Sequence, residues 1–149
     1  MIMSDLNPKE IADKLESISE EVARSGAMPI ITKNGILIGT YIIQPKNNQF
    51  YVKNGSQILY TTYSKSAAMI IARMLLKRMN GDKIKEVLEA DRIAFSCRND
   101  LEIYKHQIKV AEKNNNFLKE ELYTTRFEVT DEKYQQAKNT LHKSYSMLF

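Results

Sequence analysis

Apolar and polar positions change period several times along this chain, and each change marks an element. Near the start, Ile11, Leu15, Ile18 and Val22 recur at spacings of four, three and four, which puts them on one stripe of a helix. Asn7 can cap that helix, Pro8 suits its first position, Glu10 stands where a capping-box partner would, and Ser25-Gly26 ends it. Asp13, Glu16, Glu20 and Glu21 cover the rest of its surface, as expected of a helix packed on a core.

From Pro29 to Tyr63 the period becomes that of strands. Ile30–Thr32, Ile36–Ile43, Gln49–Lys53 and Gln57–Thr62 are rich in β-branched and aromatic residues. Asn34-Gly35, Pro45-Lys46-Asn47-Asn48 and Asn54-Gly55 separate them. Asn-Gly supplies the two positive φ angles of a type I′ turn, so the segment reads as an antiparallel meander. In Ile36–Ile43 both faces are apolar, which implies cover on each, and Gly39 marks a bulge or a close backbone approach.

Ser64 caps a second helix, expected over Lys65–Met79 and ended by Asn80-Gly81. Its run from Ala67 to Leu76 is apolar nearly all round, so it should be buried on several sides, with its methionines filling gaps in a core.

Asp82 can cap the next helix. From Val87 onward a 3,4 alternation runs through Val87, Ala90, Ala94, Cys97, Leu101, Tyr104, Ile108, Ala111, Asn115, Leu118 and Leu122. Such a repeat keeps one stripe facing a partner helix. It predicts a continuous helix from Asp82 to Leu122, about 60 Å long at 1.5 Å per residue. Flanking charges agree: in parallel chains Asp100 would face Lys105, and Glu121 would face Arg126. Asn115 has two readings of equal weight. It sets the register of a parallel dimer by meeting its own copy, or Asn114-Asn115-Asn116 breaks the helix, because Asn is a poor helix former. After Leu122 the β-branched Thr124-Thr125 and the alternating Phe127-Glu128-Val129 suggest an interruption. A last helix is expected from Thr130, with Tyr134, Ala137, Leu141, Tyr145 and Leu148 on one face, folding back along part of the long one.

The chain has 149 residues, 43% of them hydrophobic and 27% charged, which suits one soluble domain or a small domain with an extension. No run approaches the roughly 18 apolar residues of a membrane span. Met1 to Pro8 lack the basic and apolar regions of a signal peptide. The single Cys97 cannot form an internal disulfide, so a cytoplasmic setting is expected. Abundant Lys, Asn and Ile, whose codons are AT-rich, fit an AT-rich bacterium or its phage, and a phage origin would make the setting a virion.

The net charge of +4 permits contact with nucleic acid, but the basic residues are scattered. Arg73, Lys77 and Arg78 form the densest group and are the candidate nucleic-acid contacts. A meander followed by a helix has the outline of small modules that lay a sheet in the major groove, yet these strands carry Lys33, Lys46 and Lys53 and no arginine. His106 points away from the seam and His142 lies beside Leu141, neither at metal-ligand spacing from a Cys, Asp or Glu. Cys97 reads as a small buried hydrophobe, and Glu86 and Glu89 as solvated carboxylates. No Gly-rich phosphate loop and no nucleophile elbow is present, so neither catalysis nor a cofactor or metal is expected.

These observations predict an α+β chain. Residues 1–81 form a small antiparallel meander packed with two helices, and residues 82–149 form a long coiled-coil-like helix with a C-terminal helix folding back. The expected function is that of a non-enzymatic structural or adaptor protein, a phage or bacterial assembly component among the candidates. It self-associates, with a dimer favoured, through Val87, Ala94, Leu101, Tyr104, Ile108, Asn115, Leu118 and Leu122. The alternative is a dimeric nucleic-acid-binding accessory or regulatory protein. Charged residues at Leu101 and Ile108 are expected to dissociate the oligomer, read as a fall in solution mass.

Overall fold

The computed structural model describes residues 28–148, so the expected N-terminal helix lies outside the described residues. The fold is α+β: a five-stranded antiparallel sheet followed by three helices. The chain divides between Asn80 and Gly81 into two compact units.

The first unit carries β1 (Ile30–Thr32), β2 (Gly35–Ile38), β3 (Tyr41–Lys46), β4 (Gln49–Asn54) and β5 (Gln57–Thr62), then helix α1 (Lys65–Leu76). Each strand pairs with the next, so the sheet is a simple meander. Every connection is a two-residue turn, and this corrects the expected strand Ile36–Ile43. That stretch is two strands joined at Gly39-Thr40, with Ile38 opposite Tyr41. The turn changes which residues share a face. Ile36, Ile38, Tyr41 and Ile43 lie on one side, and Leu37 and Ile42 on the other. The apparent double-sided apolarity came from reading a hairpin as one strand.

The turn residues explain the remaining shifts. Asn47 and Asn48 both have positive φ (53° and 64°), as a type I′ turn requires, so β3 runs through Pro45 to Lys46. The turns expected at Asn34-Gly35 and Asn54-Gly55 fall instead at Lys33-Asn34 and Gly55-Ser56, with Gly35 opening β2 and Asn54 closing β4. Gly39 and Gly55 take the first loop position with φ of 63° and 62°, where a II′ turn requires glycine. Between β4 and β5 the register slips at Val52/Lys53: Val52 faces Tyr60, Lys53 faces Ile58, and Leu59 is the extra residue of a bulge.

Helix α1 begins where Ser64 Oγ accepts a hydrogen bond from the Ala67 N–H at 3.1 Å. Thr62, fully buried, donates its hydroxyl to the Ser64 carbonyl at 2.7 Å and fixes the approach to the helix. Across β2 to β5, α1 buries Ile70, Ile71 and Met74, and the inward face of the sheet buries Ile38, Ile43 and Val52. On the other face, half-buried Lys53 donates to Gln44 Oε1 at 3.2 Å. The helix stops at Leu76 rather than Met79. Arg78 takes a left-handed conformation (φ 52°), the Arg78 N–H bonds the Leu75 carbonyl, and the Met79 N–H bonds the Met74 carbonyl. These bonds satisfy the carbonyls that end the helix, so Asn80-Gly81 plays no part in its termination.

The second unit is a helical hairpin of α2 (Gly81–Lys113) and α3 (Phe117–Ser146). Here the expected continuous helix from Asp82 to Leu122 is corrected: it ends at Lys113, and the chain reverses through Asn114-Asn115-Asn116. The expected interruption around Thr124–Thr130 is also corrected, since α3 runs through it unbroken. The β-branched residues there cost only a few tenths of a kcal/mol each in helix propensity. Packing of Thr124, Phe127 and Thr130, each half-buried, outweighs that.

The turn at Gly39 packs against Leu76 at the end of α1. A Cβ there would lie 2.4 and 2.8 Å from the two methyls of Leu76, at a φ that side chains resist, whereas one at Gly55 would meet open space. Gly39→Ala is expected to cost about 2–4 kcal/mol, from strain and overpacking together. Gly55→Ala should cost about 1 kcal/mol, from backbone strain alone. Urea unfolding of both variants compares the two, and equal losses would contradict the close contact.

Candidate functional site: the helical hairpin and its exposed face

The two helices of the hairpin are held by matching 3,4 repeats. On α2 the stripe is Val87, Ala90, Ala94, Cys97, Leu101, Tyr104, Ile108 and Ala111, all buried or half-buried. On α3 it is Tyr123, Phe127, Thr130, Tyr134, Ala137, Leu141 and Ser144, likewise buried or half-buried, and Leu148 beyond the helix end is buried as well. The spacing of the α3 stripe is three and four throughout. Tyr134, Ala137, Leu141 and Leu148 of the expected face are on it, but Tyr145 is exposed and Ser144 takes its place. Thr130 and Ser144 hid the full repeat from a search for apolar residues.

The structure therefore brings Val87, Ala94, Leu101, Tyr104 and Ile108 together against α3 of the same chain. Asn115, Leu118 and Leu122, expected on the same seam, are exposed. Asn115 is the left-handed residue of the turn (φ 53°). Its N–H bonds the Glu112 carbonyl and the Asn116 N–H bonds the Ala111 carbonyl, closing α2 as Arg78 closes α1. Asn116 Oδ1 then accepts from the Lys119 N–H at 3.2 Å and opens α3. Of the two readings of the Asn triplet, the break is the one the structure has. Charge at Leu101 or Ile108 would open the hairpin within one chain, so those substitutions do not isolate an interface between chains.

With the seam filled, one flank of the hairpin still exposes large aliphatic side chains. Ile103 and Val110 on α2, and Leu118, Leu122 and Val129 on α3, are 43 to 81% exposed. Helical spacing puts Leu118, Leu122 and Val129 on one stripe, continued by Gln136 and Thr140. Two grooves open on this flank. The first, of about 900 Å³, lies toward the helix ends away from the turn, with Ala90, Ile93 and Ala137 in its floor and Asp82, Glu86, Glu89, Lys85 and Lys133 around it. Glu89 accepts from Arg92 Nε at 3.1 Å and forms a second bond to the same guanidinium. That pairing holds its carboxyl below the usual carboxylate range. The second groove, of about 290 Å³, lies beside the turn and is lined by His106, Gln107, Val110, Lys119 and Tyr123 among others. Gln107 Oε1 is buried there without a hydrogen-bond partner. Arg126 lies 5.9 Å from the centre of the Tyr123 ring, adding positive charge near the turn.

The other candidate residues separate. Arg73 is buried, Lys77 and Arg78 are exposed at the end of α1, and both Arg73 and Lys77 are engaged in interactions within the protein. Cys97 is a buried thiol in the seam, and His106 and His142 are exposed. Among the described residues no group of three or more His, Cys, Asp or Glu is placed to hold a metal, and no helix is long and apolar enough to cross a membrane. No protein-family model, curated protein or solved structure matches the chain.

The hairpin turn is open to a direct test. Asn116→Ala removes the α3 cap and should cost about 1 kcal/mol in thermal or urea unfolding. Asn115→Gly keeps the left-handed geometry and should be neutral or slightly stabilising. Destabilisation by both substitutions alike would mean that Asn115 does more than adopt the turn conformation.

Proposed function

We propose that this chain is a non-enzymatic structural or adaptor protein that works by associating through its helical hairpin. The observation that carries this reading is the exposed face of Ile103, Val110, Leu118, Leu122 and Val129. Several large aliphatic side chains exposed on one flank of a folded chain mark a place where another macromolecule sits, because leaving them in water forgoes about 25 cal/mol for each Å². The face belongs to a rigid two-helix unit whose seam is already satisfied, so a partner can bind without unfolding it. A cytoplasmic or virion setting suits such a role.

The nucleic-acid reading has less support. Its expected contact group loses Arg73 to the protein interior, and Lys77 and Arg78 alone make a small basic patch. Phosphate contacts would also weaken with salt, which apolar association does not.

Light scattering after size exclusion, at low and high salt, tests the proposal. A dimer or larger species that persists at high salt is expected. A monomer across the accessible concentration range would overturn self-association.

A further inference from the structure

The flank that carries this reading is not uniform along its length, and its two halves complement each other. The protruding aliphatics lie toward the turn: Leu118 and Leu122 are about 5 and 10 Å from it along the helix axis, and Val110 is beside them. The large groove lies in the opposite half, about 27 to 50 Å from the turn, where Ala90 and Ala137 are too small to fill the surface between the helices. The far groove carries Asp82, Glu86 and Glu89 together with Lys85 and Lys133, and Glu89 is already paired with Arg92. The groove beside the turn carries Lys119 and His106 and no carboxylate.

Resting on the self-association proposed above, we infer that this flank binds the same flank of a second copy in antiparallel orientation, forming a four-helix bundle about a two-fold axis. Leu118 and Leu122 of each chain seat in the large groove of the other. A parallel arrangement would instead put turn against turn, with aliphatic knobs against knobs and Lys119 near its own copy. An interface with one two-fold axis must be self-complementary, and only the antiparallel orientation meets that condition here. The size also fits: the face is about 45 Å long and 20 Å across, so it offers about 900 Å², close to the ~800 Å² per partner of a standard stable interface. The axis crosses the face midway between the knobs and the groove, about 20 Å from the turn, at the level of Val129 and Ile103.

The test uses the full chain. Leu118→Glu combined with Leu122→Glu alters two exposed positions on α3, so circular dichroism and melting temperature should hold. The dimer dissociation constant, from light scattering over a concentration series, should rise about 100-fold or more. Phe117→Glu, exposed but off this flank, should leave it unchanged. Val129→Cys should join a chain to its own copy under mild oxidation, because the axis passes beside it, while Leu118→Cys alone should not. A wild-type monomer overturns both this arrangement and self-association. A dimer that survives the double Glu variant, or one that Val129→Cys fails to link, overturns the arrangement and leaves self-association standing.

Discussion

The rest of the second unit depends on one constraint, the reversal of the chain at Asn114-Asn115-Asn116. Once Asn115 adopts its left-handed conformation, the last carbonyls of α2 are satisfied and Asn116 can cap α3. The two stripes are then brought face to face in antiparallel register. A continuous helix through the same residues would have carried Leu118 and Leu122 along the α2 seam and left α3 without its partner. The turn therefore decides which aliphatic side chains are buried within the chain and which remain outside.

The first unit is governed by a comparable local choice. Glycine at position 39 lets β2 and β3 join in two residues and lets the turn press against Leu76. With that turn in place, Ile36, Ile38 and Ile43 fall on one face of the sheet, where α1 can cover them. A slip of one residue in a strand exchanges its faces, so a short turn of fixed geometry matters more to this core than any single apolar contact. The bulge at Leu59 makes a similar adjustment at the far side of the sheet.

The sequence makes the α+β order, the meander, the Ser64 cap and the apolar helix after it legible, because each rests on a strong local signal. It is less clear where local signals compete. Ile36 to Ile43 reads as one strand since β-branched residues flank Gly39 on both sides, and only the cross-strand pairing reveals the hairpin. Asn115 falls on a 3,4 repeat that continues by coincidence into Leu118 and Leu122, so periodicity and turn chemistry point to opposite answers. Thr124 to Thr130 has weak helix propensity, yet the seam with α2 holds it helical. Periodicity found the α2 stripe, but the exposed flank was out of its reach. That face exists only once the helices are paired and the seam residues are removed from the surface.

The seam also bears on where an association could draw its energy. The seam mixes small side chains, Ala90, Ala94, Cys97 and Ala111 on α2 with Ala137 and Ser144 on α3, with large half-buried ones, Leu101, Tyr104, Ile108, Tyr123, Phe127, Tyr134 and Leu141. The small residues let the helices approach closely, and the large ones, none of them fully buried, leave part of their apolar surface in water. At about 25 cal/mol for each Å², the exposed aliphatics together represent a gain comparable with part of that seam. A second copy covering the flank would therefore add support to the hairpin as well as a connection between chains. On this view folding of the second unit and its association are linked: whatever binds the paired helices and not the separated ones stabilises the pair by an amount that grows with the logarithm of its concentration above Kd.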